Sequence, residues 1–329
     1  MEISVAFTPS NDTPSHIAVA EGLGFRRAWC YDSPAYYVDP WVTLARGADR
    51  TSTIGLGVGV LVPSLRHLMV TAGAVASLAD LSNGRLSVAI GTGFSGRMAL
   101  GHRAMKWADV EAYVEGLRGL LCGDVVDWEG RKIQMQHPQG FVASRPVSVP
   151  IWIAADGPKG FAVANKWGDG AFFAPTPHAK AVEDLPMKSL LAFGTVLDDG
   201  ESPTSARAVD AYSAQLAAIY HIAYERGGVA AVDSLPGGSE WRRAIESIGP
   251  EYRHLAIHEG HLVAPNERDQ VIVREGVSVA ENLLWIDTAD RLRERVEAME
   301  DEGITELVFQ PGGSDIVREL EAFSSLMTR

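Results

Sequence analysis

Apolar runs of strand length alternate with segments of helical period through residues 3–123. "ISVAFT" (3–8), "RAWCYD" (27–32), "IGLGVGVLV" (54–62) and "RLSVAIGTG" (85–93) read as strands. Between and after them, "PSHIAVAEGLG" (14–24), "DPWVTLARGADRT" (39–51), "LRHLMVTAGAVASLADLS" (65–82) and "ADVEAYVEGLRGLLCG" (108–123) read as helices. The strands are near-continuous apolar runs rather than strict alternations, the pattern of parallel strands buried on both faces and joined by crossover helices.

The alternation breaks at "DVVDWEGRKIQM" (124–135), which predicts a short hairpin insertion. It resumes with strand "VPIWIAA" (149–155), helix "KGFAVANKWG" (159–168), strand "GAFFA" (170–174) and a seventh strand "KSLLAFGTVL" (188–197). Residues 203–249 read as helical and 250–280 as irregular, and the chain closes with helix "TADRLRERVEAMEDEG" (288–303) and strand "ELVFQPGG" (306–313). Alternating strands and helices admit an open doubly wound sheet or a barrel; eight strands favour the barrel. The expected fold is therefore α/β, a TIM (β/α)8 barrel with insertions, as one domain over residues 1–329 with a mainly helical and irregular insertion at about 198–280.

One strand is odd. In "IGLGVGVLVPSLRH" (54–67), Gly55, Gly57 and Gly59 strip one face bare. Glycine inside a strand marks a bulge, a bend or the close approach of another group.

Composition narrows the function. Of 329 residues, 46% are apolar and 22% charged, enough for a sizeable core. The formal charge is 29 − 42 = −13, which argues against nucleic acid or an anionic membrane as main partner and leaves a small-molecule substrate. No apolar run reaches membrane-spanning length, "MEISVAFTPSND" begins a strand rather than a signal peptide, and Cys30 and Cys122 form no disulfide or metal pattern. A cytoplasmic protein is expected.

In a barrel, chemistry lies where the strands end at their C-termini. Two of the turns there are glycine-rich and open helices: "GTGFSGR" (91–97) and "AADGPKG" (154–160). Such turns present free backbone N–H groups at a positive helix end, which suits phosphate, and Lys159 adds a cation. Ordinary βα turns have the same composition, but two on one rim favour a phosphorylated cofactor. "GTGFSG" does not follow the first strand of a βαβ unit, so it is not the dinucleotide fingerprint. Asp32 ends an apolar strand, where a carboxylate can bind ligand or move a proton; capping the next turn is the competing use. His254, His258 and His261 fall at i, i+4 and i+7 without the HExxH spacing, so no metal is assigned to them.

These motifs resemble the bacterial luciferase-like superfamily of flavin and deazaflavin oxidoreductases. The resemblance rests on "AEGLGFRRAWCYDS" (20–33), "DPWVTLARGADRTSTIGLGVGVLVPSLRH" (39–67), "LADLSNGRLSVAIGTGFSG" (78–96) and "PVSVPIWIAADGPKGFAVANKWGDGAFF" (146–173). It implies a TIM barrel holding the cofactor ring at its mouth, and in the branch using the deazaflavin coenzyme F-420 (F420 in enzyme names) a non-proline cis peptide behind the ring, here Gly59–Val60. On that reading the bare glycine face leaves room for the planar ring, although Gly55 and Gly57 also suit a neighbouring core side chain. By the same resemblance Asp32 lies at the ring; Asp32 and its neighbour Ser33 are the candidate catalytic residues. Thr92, Gly93 and Arg97 line the cofactor, and Ala155, Asp156, Gly157, Lys159 and Gly160 hold its phosphate.

Two departures bear on substrate. Many relatives have Asp-His where this chain has Asp32-Ser33, and the sugar-phosphate dehydrogenases carry Glu where it has Phe94. Sugar-phosphate oxidation is therefore not expected, and Phe94 suggests an apolar or aromatic substrate wall, with His261 as a further substrate contact from the insertion. The resemblance thus implies an oxidoreductase passing hydride between coenzyme F-420 and a small apolar or aromatic substrate. The alternatives are a monooxygenase using reduced FMN and a non-catalytic flavin-binding barrel. It also implies a homodimer, formed mainly by the second and third helices.

Overall fold

The computed structural model describes residues 1–327. The strands are β1 (Glu2–Phe7), β2 (Arg27–Cys30), β3 (Gly55–Leu61), β4 (Leu86–Ile90), β5 (Val126–Trp128), β6 (Arg131–Ile133), β7 (Ile151–Ala154), β8 (Gly170–Phe173), β9 (Met187–Leu197), β10 (Trp285–Thr288) and β11 (Glu306–Gln310). In the first half the helices are α1 (Thr13–Gly22), α2 (Pro40–Ala48), α3 (Leu68–Leu81), the one-turn α4 (Phe94–Met98), α5 (Trp107–Cys122) and α6 (Pro158–Trp167). The second half adds α7 (Ala206–Asp233), α8 (Gly238–Glu246), α9 (Arg253–Ile257), α10 (Gln270–Glu275), α11 (Val277–Leu283), α12 (Ala289–Asp301) and α13 (Ile316–Ser324).

The sheet runs β10-β9-β11-β1-β2-β3-β4-β7-β8, and β8 pairs back onto β9. Eight strands thus close a parallel (β/α)8 barrel, with β10 as an added strand on β9 and β5–β6 as a separate antiparallel hairpin. Each barrel strand is the apolar run read from the sequence, buried along nearly its whole length, and each of the helices expected up to residue 168 is present.

The chain divides into two compact units. The first holds Met1–Arg97, Arg103–Leu191 and Met299–Val308; the second holds Met98–His102, Ala192–Ala298 and the chain from Phe309 onward. In the second unit Tyr212, Tyr220, Trp241, Ile245 and Ile272 centre a core built by α7, α8 and α10. Three readings change here. Residues 250–280, expected to be irregular, contain α9, α10 and α11; helices of five to seven residues are too short for a periodic signal. Strand β10 was not anticipated, because its four residues "WIDT" precede a helix directly. The helix opened by the 91–97 turn is the separate one-turn α4, not the 108–123 helix, and α13 was not expected.

The bare face of β3 has a clear cause. A Cβ built on Gly57 would stand 2.2 Å from Cε3 of Trp29, and one on Gly59 2.7 Å from the same atom. Gly55 faces Arg27, whose side chain would meet its Cβ at 3.2 Å. These glycines make room for the large side chains of β2, the alternation of large and small by which barrel interiors fill. Of the two uses expected for that face, core packing is the one found at Gly55 and Gly57, and Trp29 also occupies the space beside Gly59. Next to this layer the Arg27 guanidinium lies 4.5 Å from the Trp152 ring centroid and pairs with buried Glu306 at 2.7 Å. Ser4 and Ser189 donate hydroxyl hydrogen bonds to the Glu306 carboxylate. The buried carboxylate thus accepts from one guanidinium and two hydroxyls, the condition under which a barrel core tolerates a negative charge.

Candidate functional site

Asp32 stands two residues beyond β2 and is 1% exposed. Its carboxylate accepts from Nη1 of Arg66 at 2.7 and 2.8 Å and from the Val62 backbone N–H at 3.4 Å. The Nη2 of Arg66 reaches Asp39 Oδ2 at 2.7 Å, while Asp39 Oδ1 caps α2 by accepting from the N–H groups of Trp41 and Val42. One arginine therefore ties the ends of β2 and β3 to the start of α2. Burial pushes the Asp32 carboxyl above its usual value, against the opposing pull of Arg66. Ser33 is also buried, and Gly96 of α4 packs on this corner: a Cβ there would be 3.1 Å from the Asp32 carbonyl oxygen and 3.2 Å from Ser33 Oγ.

At the end of β3 the Gly59–Val60 peptide is cis, and the register against β4 skips Val60, passing from Gly59↔Ala89 to Leu61↔Ile90. This is a bulge, the device by which a strand end is re-aimed at a site. Val60 and Val62 lie over the turn after β4: a Cβ on Gly91 would be 2.8 Å from Val60 Cγ1, and one on Gly93 2.3 Å from Val62 Cγ1. Gly93 also has φ +76°, a conformation that favours glycine. The half-buried Thr92 carbonyl accepts from Met105 N–H at 2.9 Å. Arg97 donates to the Arg103 carbonyl at 2.6 Å and to Ser64 Oγ, so it braces the two turns. Phe94 is half-buried at the start of α4.

After β7, Ala155 is buried and its N–H bonds the Phe172 carbonyl at 3.2 Å, while Asp156 is exposed. Gly157 is the N-cap of α6, and a Cβ added to it would meet nothing within 4 Å. Gly160 is packed, its Cβ position lying 2.5 Å from the Trp107 ring. The first turn of α6 has no side-chain cap, faces open space at Gly157 and carries exposed Lys159. A ten-residue helix opening this way offers backbone N–H donors and a positive end to an anion.

Thus Asp32, Ser33, Gly59, Val60, Thr92, Gly93, Phe94, Arg97 and the 155–160 turn all belong to the first unit, at strand ends or the helix starts that follow. His261 belongs to the second unit. The i, i+4, i+7 spacing of His254, His258 and His261 does not become one helix face, because α9 ends at Ile257 and His258 is already its C-cap. His254 lies against Gly101 instead, and His258 and His261 join His221 from α7. Burial drives the His261 ring well below the usual histidine range, and lowers His221 as well. The residue that sequence reasoning missed is Arg66; its only local signal was a cation in the turn after β3, with two carboxylates far back in the chain.

A closed parallel barrel with glycine-rich turns on its C-terminal rim defines the class of (β/α)8 proteins that bind ligands on that rim. Within that class the chain belongs to the luciferase-like monooxygenase family, whose model matches residues 7–187. It is similar to an F420-dependent hydroxymycolic acid dehydrogenase of Mycobacterium tuberculosis, 29% identical over 205 residues that cover 58% of this chain and 55% of that protein. It is also similar to a 5,10-methylenetetrahydromethanopterin reductase of Methanolobus tindarius, 31% identical over 193 residues, 56% of each chain. The chain thus spans about half the length of these curated relatives. Among solved structures, the coenzyme F420 dependent tetrahydromethanopterin reductase of Methanopyrus kandleri superposes with a TM-score of 0.69 at 19% identity, covering 98% of this chain and 97% of that one, which is a likeness of fold. No helix among the described residues is long and apolar enough to cross a membrane.

Proposed function

We propose that the protein is an oxidoreductase that passes hydride between coenzyme F-420 and a small, apolar or aromatic organic substrate. The observation that carries this reading is the α6 start: an uncapped helix N-terminus with open space at Gly157 and an exposed Lys159 fits a phosphate. The names of the F420-dependent relatives select the deazaflavin among phosphate-bearing cofactors. Bound there, coenzyme F-420 supplies a ring carbon that gives or takes hydride, while the protein supplies binding, orientation and electrostatics.

In this reading Gly157, Lys159 and Gly160, with backbone of Ala155 and Asp156, hold the phosphate. Gly59, Val60, Thr92 and Gly93 form the backbone surface for the ring, and Arg97 fixes the turn that carries it. Asp32 acts at the ring through a carboxylate whose orientation Arg66 sets, with Ser33 beside it. Phe94 forms an apolar wall for substrate. A homodimer through α2 and α3 is supported by Val42 and Val70, 61% and 59% exposed on those helices. A cytoplasmic location is supported by the free thiols of Cys30 and Cys122.

The family's own description favours one other reading, a monooxygenase using reduced FMN. Fluorescence titration with oxidised and reduced F-420 and FMN separates the two. The expected result is binding of F-420 with a Kd on the order of 1 μM and FMN at least ~100-fold weaker. Tighter binding of reduced FMN overturns the F-420 assignment, and tight binding without turnover of any acceptor points to a non-catalytic flavin-binding barrel.

A further inference from the structure

In the second unit, three buried histidines from separate segments meet. One ring nitrogen from each of His221, His258 and His261 lies within 4.8 Å of the other two. His221 is on α7, His258 caps α9, and His261 follows in the turn.

Each of two rings is held from outside by a buried carboxylate. His221 Nε2 is 3.0 Å from Asp269 Oδ1, and His258 Nε2 is 2.8 Å from Glu225 Oε2. Asp269 also accepts from Trp241 Nε1 at 2.9 Å and from the Asn266 N–H at 3.1 Å. An acceptor so placed assigns the hydrogen of His221 to Nε2 and leaves a lone pair on Nδ1. That Nδ1 is buried and has no hydrogen-bond partner. Likewise the Glu225 contact assigns a hydrogen to His258 Nε2 and makes its Nδ1 the acceptor from His261 Nδ1 at 3.0 Å, a hydrogen bond that a bound ion would replace.

Two inward lone pairs, each on an imidazole whose far nitrogen donates to a carboxylate, are the arrangement of ligating histidines with their outer partners. A tetrahedral zinc ion with Zn–N bonds of ~2.0–2.1 Å holds its ligand nitrogens roughly 3.3 Å apart. Here the three nitrogens lie within 4.8 Å of one another, so the rings would have to close in by up to ~1.5 Å to reach it. A buried imidazole lone pair without a donor is otherwise a standing cost to the fold.

We propose that His221, His258 and His261 form a binding site for one divalent zinc-class ion, with the fourth position left to water or a small anion. Imidazole ligands suit zinc over magnesium or calcium. The ion would tie α7 to the 258–269 segment, with Asp269 and Glu225 as its outer carboxylates. The site is independent of the cofactor assignment above.

The test is metal analysis of tag-free, full-length protein. It is stripped with a chelator, reloaded with zinc, desalted and measured by mass spectrometry and thermal unfolding. About one equivalent of zinc per chain and a Tm rise of roughly 5 °C are expected on reloading, since an ion that binds only the folded chain stabilises it. Cobalt(II) loading should give the visible absorption of a low-coordinate site. His258→Ala and Glu225→Gln, checked for folding by circular dichroism, should reduce zinc retention, whereas His102→Ala should not. Less than about a tenth of an equivalent in reloaded wild type, with unchanged Tm, overturns the proposal and leaves a hydrogen-bonded histidine network. Retention of a full equivalent by His258→Ala overturns it equally.

Discussion

Arg66 grips Asp32 through a single nitrogen, Nη1 lying 2.7 Å from Oδ1 and 2.8 Å from Oδ2, while its other terminal nitrogen holds Asp39. Both Asp32 and Arg66 are largely buried, with side chains 0% and 14% exposed. A carboxylate held this way is oriented before any ligand arrives. The pair also fixes the end of β3, since Asp32 accepts from the Val62 N–H just beyond the cis bulge.

Removing the arginine should therefore destabilise the fold as well as the site. Arg66→Ala leaves a buried carboxylate without its counter-ion, and such a loss costs about 3–5 kcal/mol. Arg66→Lys should recover less than half, because one ammonium cannot reproduce the fork to both Asp32 and Asp39. Urea unfolding measures both. A loss below ~1 kcal/mol for Arg66→Ala would mean that Asp32 finds water or another donor.

The strand face stripped by glycines makes a second prediction. Gly57→Ala would drive a methyl to 2.2 Å from the Trp29 ring, inside a packed barrel. Overpacking of this kind costs about 1–3 kcal/mol, and more where the neighbour cannot move. In the Trp29→Phe background the same change should cost less, because the smaller ring yields space. Additive losses in the double variant, read by thermal unfolding, would show that the two positions do not share that space.

These two cases mark what the chain itself discloses. The barrel strands were legible because each is an apolar run buried on both faces, a local property. The rim turns 91–97 and 154–160 were legible because glycine and the first turn of a helix are local too. Arg66 was not, since its partner Asp32 lies 34 residues away and nothing in "PSLRH" points to it. The purpose of Gly57 was half legible: a close approach was evident, but the group approaching was Trp29 of β2 as the sequence allowed and not a ligand. The meeting of the histidines was not legible for a related reason. Their spacing fits one helix face only if the helix continues, and α9 stops at Ile257.

The α6 start gives a third prediction. Lys159→Ala should weaken F-420 binding about 10-fold at low ionic strength, and the gap should narrow in high salt as the phosphate contact is screened. Folding should be unaffected, because Lys159 is exposed. Unchanged affinity in low salt would remove this helix from the phosphate site.

The fourth concerns acid stability and a carboxylate far from the rim. Glu21 Oε1 accepts from the backbone N–H groups of Ser52, Thr53 and Ile54 at 2.8, 2.6 and 3.0 Å, and from the Thr53 hydroxyl at 2.9 Å. It thus fastens the end of α1 to the turn before β3. Partial burial alone would raise its pKa, but the N–H groups of Ile54, Thr53 and Ser52 and the hydroxyl outweigh burial and hold it at about 2, against 4.5 unperturbed. The folded state therefore prefers the charged form more than the unfolded chain does. The contribution is fully present above the unfolded value and is lost as pH falls from about 4.5 toward 2. Solvent screening limits it to ~1 kcal/mol. Glu21→Gln should accordingly lower stability by that amount at pH 7 and by much less near pH 2.5, so that the two unfolding free energies converge in acid. Urea titrations at both pH values measure the gap, and a difference that stays constant between them would mean that the hydrogen bonds, not the charge, carry the contribution.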